Sequence, residues 1–194
     1  RTSKGLYLAF NKATELEASA KFPKNVNCKT THALAWQSIA SSYSAQKMKG
    51  KLVARQLSEE LRLEDVVFGE HIRLNGVHQA HLMIQTVRRF CQSADDSPLL
   101  RHVPMYGRLL GASPGIASAV RAWALEQCKA LWVRMTTARD AVPLGHDGYL
   151  KLWALGQPKI GAEFILLDEA QDTNEVVLAV LADQEAQIVY VGDR

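Results

Sequence analysis

Only three cysteines occur in 194 residues, Cys28, Cys91 and Cys128, and no two of them stand at CxxC spacing. A disulfide framework has no support, and a reducing intracellular compartment is expected: cytoplasm or nucleoid, or a nucleus where there is one. No apolar run approaches the ~18–20 residues that cross a bilayer, so no membrane partner is expected. The chain starts RTSKG, which is not a charged-then-apolar leader, so secretion has no support either. Internal repeats and low-complexity segments are missing, which excludes solenoid and disordered-tract readings. A strong charge of one sign is missing too. The net charge is +3, with 47% hydrophobic and 22% charged residues, as in an ordinary soluble globular protein. Its distribution says more. From Ala45 to Asp140 there are 14 Lys or Arg against 9 Asp or Glu, or +5; the remainder has 9 against 11, or −2. A basic middle is compatible with nucleic-acid contact and equally with a solvated helical surface.

Four short apolar runs are present: Leu6–Phe10, Val26–Thr30, Phe164–Leu167 and Ile188–Val191. Their length and polar bounds predict buried strands covered on both faces. Helical patterns follow three of them, at Ala13–Lys21 (Leu16 and Ala20 at i, i+4), Ala33–Tyr43 and Glu175–Ala182, the last capped by Asp172-Thr173-Asn174. That alternation predicts a parallel α/β sheet with right-handed crossovers. The middle breaks it. Lys51–Leu63, Val77–Phe90 and Ile116–Ala138 have helical periodicity, with Val120, Trp123, Ala124, Leu131 and Met135 on one face of the third. The expected organisation is an α/β core at 1–44 and 144–194, interrupted by a mostly helical insertion at 45–143.

In open parallel sheets ligands sit beyond the carboxyl ends of the strands. Here the strands empty into Asn11-Lys12, Thr31-His32, Asp168-Glu169 and Gly192-Asp193-Arg194. The third is the most telling. A strand that ends on Asp168-Glu169 would carry an unpartnered carboxylate at a cost of several kcal/mol, unless a cation or hydration relieves it. Magnesium held through its waters by Asp168, with Glu169 orienting the water that attacks a γ-phosphate, fits this layout. Hydrated helix-capping acids are the plainer alternative. Gln171 and Asp172, and the strand running into VGDR about twenty residues on, make DEAQD harder to explain that way.

These residues resemble the UvrD/Rep-like superfamily 1 helicases, and within them the F-box DNA helicase subgroup. FILLDEAQDTN is similar to their motif II, IVYVGDR to the opening of motif III, YLAFNKATELEA to motif Ia, and TTHALAW to the next DNA-contacting segment. HVP (His102–Pro104) and HDGYLKLW (His146–Trp153) resemble segments in and after the helical insertion of that subgroup. The resemblance implies a P-loop NTPase sheet of the RecA-like kind with a helical insertion, ATP and Mg2+ as ligands, and single-stranded DNA and duplex junctions as partners, in DNA repair or recombination. It assigns Asp168 to magnesium and Glu169 to water activation. Gln171, Asp172, Gly192, Asp193 and Arg194 fall in the network joining nucleotide to DNA, and Phe10, Asn11, Lys12, Thr31, His32 and His146 at DNA-contacting positions. Phe10 could instead finish the sheet core, Lys12 be solvated, His32 bond backbone, and His146-Asp147-Gly148, bracketed by Gly145 and Gly148, form a structural turn.

The phosphate loop GxxxxGK[ST] that such chemistry needs does not occur among these residues. Gly50-Lys51 is the only Gly-Lys pair; Leu52 follows it, no strand precedes it, and it lies in the helical middle. The loop's strand and helix are expected before Arg1 and a second RecA-like domain elsewhere, so the sheet is expected to be incomplete. These 194 residues alone are expected to bind nucleotide weakly without turning it over. A non-catalytic scaffold binding single-stranded DNA or a protein is the alternative from another class. A metal nuclease built on Asp168, Glu169, Asp172 and Asp193 is disfavoured by the order of the other motifs. His78 and His81, with His71 and Cys91 nearby, supply too few ligands for a metal site.

Overall fold

The computed structural model describes residues 3–70 and 72–193; His71 and Arg194, both singled out above, lie outside the described residues. In chain order the first elements are β1 (Gly5–Ala9), α1 (Lys12–Lys21), β2 (Val26–Thr30), α2 (Thr31–Ile39), α3 (Ala45–Lys49) and α4 (Ala54–Glu60). Then come β3 (Val66–Phe68), β4 (Ile72–Leu74), α5 (Gly76–Gln92), α6 (Pro114–Thr136), α7 (Gly145–Leu155), β5 (Phe164–Leu167), α8 (Glu175–Ala182) and β6 (Gln187–Tyr190). The chain divides into two compact units, Arg1–Ser41 with Tyr149–Arg194, and Ser42–Gly148.

The first unit is built on a four-stranded parallel sheet in the order β2-β1-β5-β6. Its register sets Leu8 beside Leu167, and Leu167 beside Tyr190. Leu6, Leu8, Ile165 and Leu167 are all buried, so the two central strands are covered as parallel strands should be. Strand β6 departs from that expectation. Val189, Tyr190 and Val191 are 39%, 53% and 49% exposed, because β6 is an edge, and among the described residues no strand pairs with its outer side. Helix α1 also differs from its pattern. Leu16 is 61% exposed while Glu15 and Ala18 are buried, because Glu15 reaches the end of β2.

The second unit is helical around α5 and α6, but it holds an antiparallel hairpin, β3–β4, that the periodicity did not show. Strands of three residues are too short to display an alternation. The hairpin is held by Gln79 of α5, buried at 2% exposure, whose amide donates to the carbonyls of Glu64 (2.5 Å) and Leu74 (2.9 Å). Asn75 caps α5 through the His78 N–H, and Ser113 with Pro114 opens α6, as expected of a capping residue and of Pro in a first helical turn. Ile72, Leu82, Val103, Leu109, Val120 and Ala124 form the core, with Phe68 packed edge-on against Trp123. In the same unit Lys47 is buried, and its ammonium donates to the carbonyls of Arg134 (3.2 Å), Asp140 (2.9 Å) and Val142 (2.7 Å).

The turn expected at His146-Asp147-Gly148 is instead the first turn of α7. Gly145, at φ +70°, makes the bend one residue earlier, in the left-handed region that glycine enters freely. Tyr149, Leu150 and Trp153 then bury one face of that helix. The glycines that suggested a loop mark only its start.

Candidate functional site

Five of the sequence-selected positions meet where the strands of the first unit end. A small cleft is lined by Phe10 after β1, by Thr31 and His32 at the start of α2, and by Asp168 and Asp172 beyond β5. Phe10 is 57% exposed, so it does not finish the sheet core; its ring is open to a ligand. His32 sets its ring edge-on against Tyr149 at 5.7 Å, and Trp36 packs on the same tyrosine at 5.7 Å. Tyr149, 2% exposed, is therefore the support under His32. It stood in HDGYLKLW without a role assigned to it, and only its contact distances reveal one.

Asp168 leaves β5 with its N–H on the Leu8 carbonyl (3.0 Å). On β1, Tyr7 pairs with Leu166, which puts its side chain on the face to which Asp168 belongs. Burial first, then a hydrogen bond to the Asp168 carboxylate, pushes the Tyr7 phenol up and keeps its proton in place. Tyr7 is a site residue that the motif reading missed. Its signal was the register, which no single segment carries.

Glu169 does not line the cleft. It sits at φ +48°, ψ +50°, a left-handed conformation that is uncommon for a residue with a Cβ and is concentrated at functional sites. Its carboxylate accepts from the Gln171 amide at 2.5 Å, and its carbonyl from the Thr173 hydroxyl at 3.3 Å. Gln171 in turn lies against Gly192, so closely that a Cβ there would collide with the amide oxygen. The Ala170 N–H meets the Val191 carbonyl at 2.9 Å. Glu169, Gln171 and Gly192 thus form one linked group across β5 and β6. Asp172 was expected in the cap of α8; it lies instead in a 3-10 turn, Ala170–Asp172, and Asn174 holds the N-cap position without a side-chain bond. Asp193 is exposed just beyond Gly192.

Asn11 and Lys12 have work within the fold. The Asn11 side-chain amide oxygen caps α1, accepting from the Thr14 N–H at 3.0 Å. The Lys12 ammonium meets Glu15 at 2.6 Å, and the second oxygen of Glu15 accepts the Thr30 N–H at 3.2 Å. Glu15, unnoticed in the sequence because glutamate in a first helical turn is ordinary, ties the lip carrying Lys12 to the lip carrying Thr31. His146 belongs to the helical unit, where it lines a cavity with Lys51 and Arg88.

Among the described residues no group of three or more His, Cys, Asp or Glu could hold a metal ion. Asp168 and Asp172 nevertheless line one cleft, two carboxylates at the ends of the strands. Also among the described residues, no helix is long and apolar enough to cross a membrane.

A four-stranded parallel sheet with helices between its strands and acids beyond their ends is compatible with one class, a partial RecA-like fold. The comparisons narrow it. The chain is 32% identical over 200 aligned residues, 97% of its length, to F-box DNA helicase 1 of Gallus gallus. It is 32% identical over 204 aligned residues to F-box DNA helicase protein 1 of Schizosaccharomyces pombe. It spans 19% and 22% of those proteins. No family model matches the chain, and no solved structure matches it significantly. The resemblance to the F-box DNA helicase subgroup of the UvrD/Rep-like superfamily 1 helicases therefore holds along nearly the whole chain, for one segment of those longer proteins.

Proposed function

We propose that the chain is part of the first motor domain of an ATP-dependent DNA translocase that unwinds duplex DNA, working with further domains of the same polypeptide. The supporting observation is the cleft itself, where Asp168 and Asp172 open beside Phe10, Thr31 and His32. A nucleotide and a DNA strand bound at one sheet edge would share the residues between them. Bound magnesium would offset charge on the phosphoryl oxygens. Asp168, steadied by the Tyr7 hydroxyl, would hold it through water, and Glu169 would orient the attacking water and accept its proton. Gln171 fixes the Glu169 carboxylate and rests on Gly192, so a shift of the β6 end would be felt at the base. Phe10 offers a base a stacking face, and Thr31 a phosphate a hydroxyl. Lys12 offers charge only as far as Glu15 releases it.

The test is ATP hydrolysis by the full-length protein, with and without single-stranded DNA, beside Glu169→Gln. Hydrolysis stimulated by DNA and lost in the variant is the expected result. A folded wild type that hydrolyses nothing would replace the motor with a binding scaffold.

A further inference from the structure

The helical unit carries a second cavity, of about 380 Å3, between the β4 end, the first turns of α5 and the 3-10 turn Gly107–Gly111. Its floor is apolar, formed by the core residues Ile72, Leu82 and Leu109. Its volume is in the ~300–1,000 Å3 range of small-ligand pockets. The wall is aromatic. Tyr106, 38% exposed, meets the exposed ring of His81 edge-on at 5.7 Å, leaving ring surface to the cavity. The rim is cationic: Arg73 and Arg108 line it with His78, and among the described residues the lining holds no Asp or Glu. Arg73 is answered by Asp65 at 2.7 Å, outside the lining, which leaves Arg108 as the rim's freest charge.

An apolar cavity with an aromatic side and a cationic rim suits a ligand with a planar body and an anionic tether. An apolar peptide would leave Arg108 unanswered, and a bare phosphate would leave the apolar cavity empty. We infer that this cavity receives an unpaired nucleobase of a nucleic-acid strand, stacked on the Tyr106 or the His81 ring, with Arg108 at the adjoining phosphate. This rests on the reading of the chain as part of a DNA motor and adds to it a separate contact in the helical unit.

The experiment photo-crosslinks an iodouracil-substituted single-stranded oligonucleotide to the full-length protein, maps the adducts by mass spectrometry, and measures affinity for the same oligonucleotide. Adducts on Tyr106 or His81 are expected. Tyr106→Ala and the exposed Arg108→Glu should each weaken binding about 5- to 150-fold, and Tyr106→Phe by no more than about twofold. ATP hydrolysis without DNA should be unchanged in all three. A wild type whose adducts fall only at Phe10 or His32, with both variants binding normally, overturns the cavity and leaves the motor standing. A wild type that binds no oligonucleotide and shows no DNA-stimulated hydrolysis overturns both. Loss of the adducts when a phosphotyrosine peptide is added before irradiation, with binding tighter than the oligonucleotide's, overturns the inference in favour of a protein partner.

Discussion

In the helical unit Lys47 is 5% exposed, and its ammonium meets three carbonyls that lie 87 to 95 residues further along the chain. At the sheet edge Asp168 and Glu169 are only half-buried, with the Tyr7 hydroxyl against the first and the Gln171 amide against the second. The two regions use polar groups for different ends. A buried cation with every donor occupied has nothing left for a ligand, and removing it strands its acceptors. Half-buried carboxylates with spare lone pairs contribute little to the fold and remain available for chemistry. The same contrast separates Asp140, part-buried and paired with Arg134 at 2.8 Å, from the exposed Asp172.

The largest effect expected from that contrast is on rate. Glu169→Gln should lower ATP turnover about 10²- to 10⁴-fold in the full-length protein, the span of a lost general base. Its thermal midpoint should stay near wild type, because an amide retains the shape and a bond to Gln171. Unfolding of the variant at room temperature would instead place Glu169 among the structural residues. Next in size is Lys47→Met. It removes the donor from three carbonyls that are far apart in sequence, and should cost about 3–5 kcal/mol in chemical denaturation. A loss under about 1 kcal/mol would show that water replaces the ammonium there and would break the comparison.

How far the sequence carried the reading follows the same division. All four parallel strands were legible to within a residue, because short apolar runs between turn residues are local signals. Helix α8 was legible end to end for the same reason. The sheet-edge acids were legible because carboxylates are conspicuous at the end of an apolar strand. What escaped depends on contacts between distant segments. Lys47 looks like any lysine of a helical surface until the carbonyls of 134, 140 and 142 converge on it. Tyr7 needs the β1–β5 register, and Glu15 needs the Thr30 N–H brought to its carboxylate. Helix α7 was hidden by Gly145 and Gly148, whose bracketing of His146 suggested a turn, while its buried Tyr149, Leu150 and Trp153 carried the opposite signal.

Acid separates the regions by a smaller amount. Burial tends to raise the Asp140 carboxyl, but the Arg134 guanidinium, the Val142 N–H and Lys47 outweigh it and hold the group below its ordinary 3.8. Asp95, between Arg101 and His102, is lowered in the same way against its own burial. A depressed folded value means stability that is complete above the ordinary range near pH 4 and lost as pH falls through the folded value. Both groups belong to the helical unit. Its melting midpoint should therefore be flat from neutrality to about pH 5 and decline below pH 4. Asp140→Asn should cost about 1–3 kcal/mol at pH 7 and flatten that decline. An undiminished acid slope in Asp140→Asn would move the sensitivity to Asp95 and its partners.

The smallest effect on stability, and the sharpest test of the contrast, is expected from Gly192→Ala. The new methyl group would meet the Gln171 amide oxygen, the far end of a side chain that can rotate away, with the Ala170 backbone nitrogen beyond it at 3.2 Å. Gly192 follows an exposed edge strand, so the fold should lose no more than about 1 kcal/mol. Glu169, however, would lose the bond that fixes its carboxylate. If the sheet edge is organised for chemistry, turnover should fall about tenfold or more with stability nearly intact, as a small misplacement of a reacting group can do. Gln171→Ala should produce a similar fall, and the double variant little more than either alone, because both break one link. Additive losses in the double variant would mean that Gly192 and Gln171 act separately, and that the end of β6 is not read through Gln171.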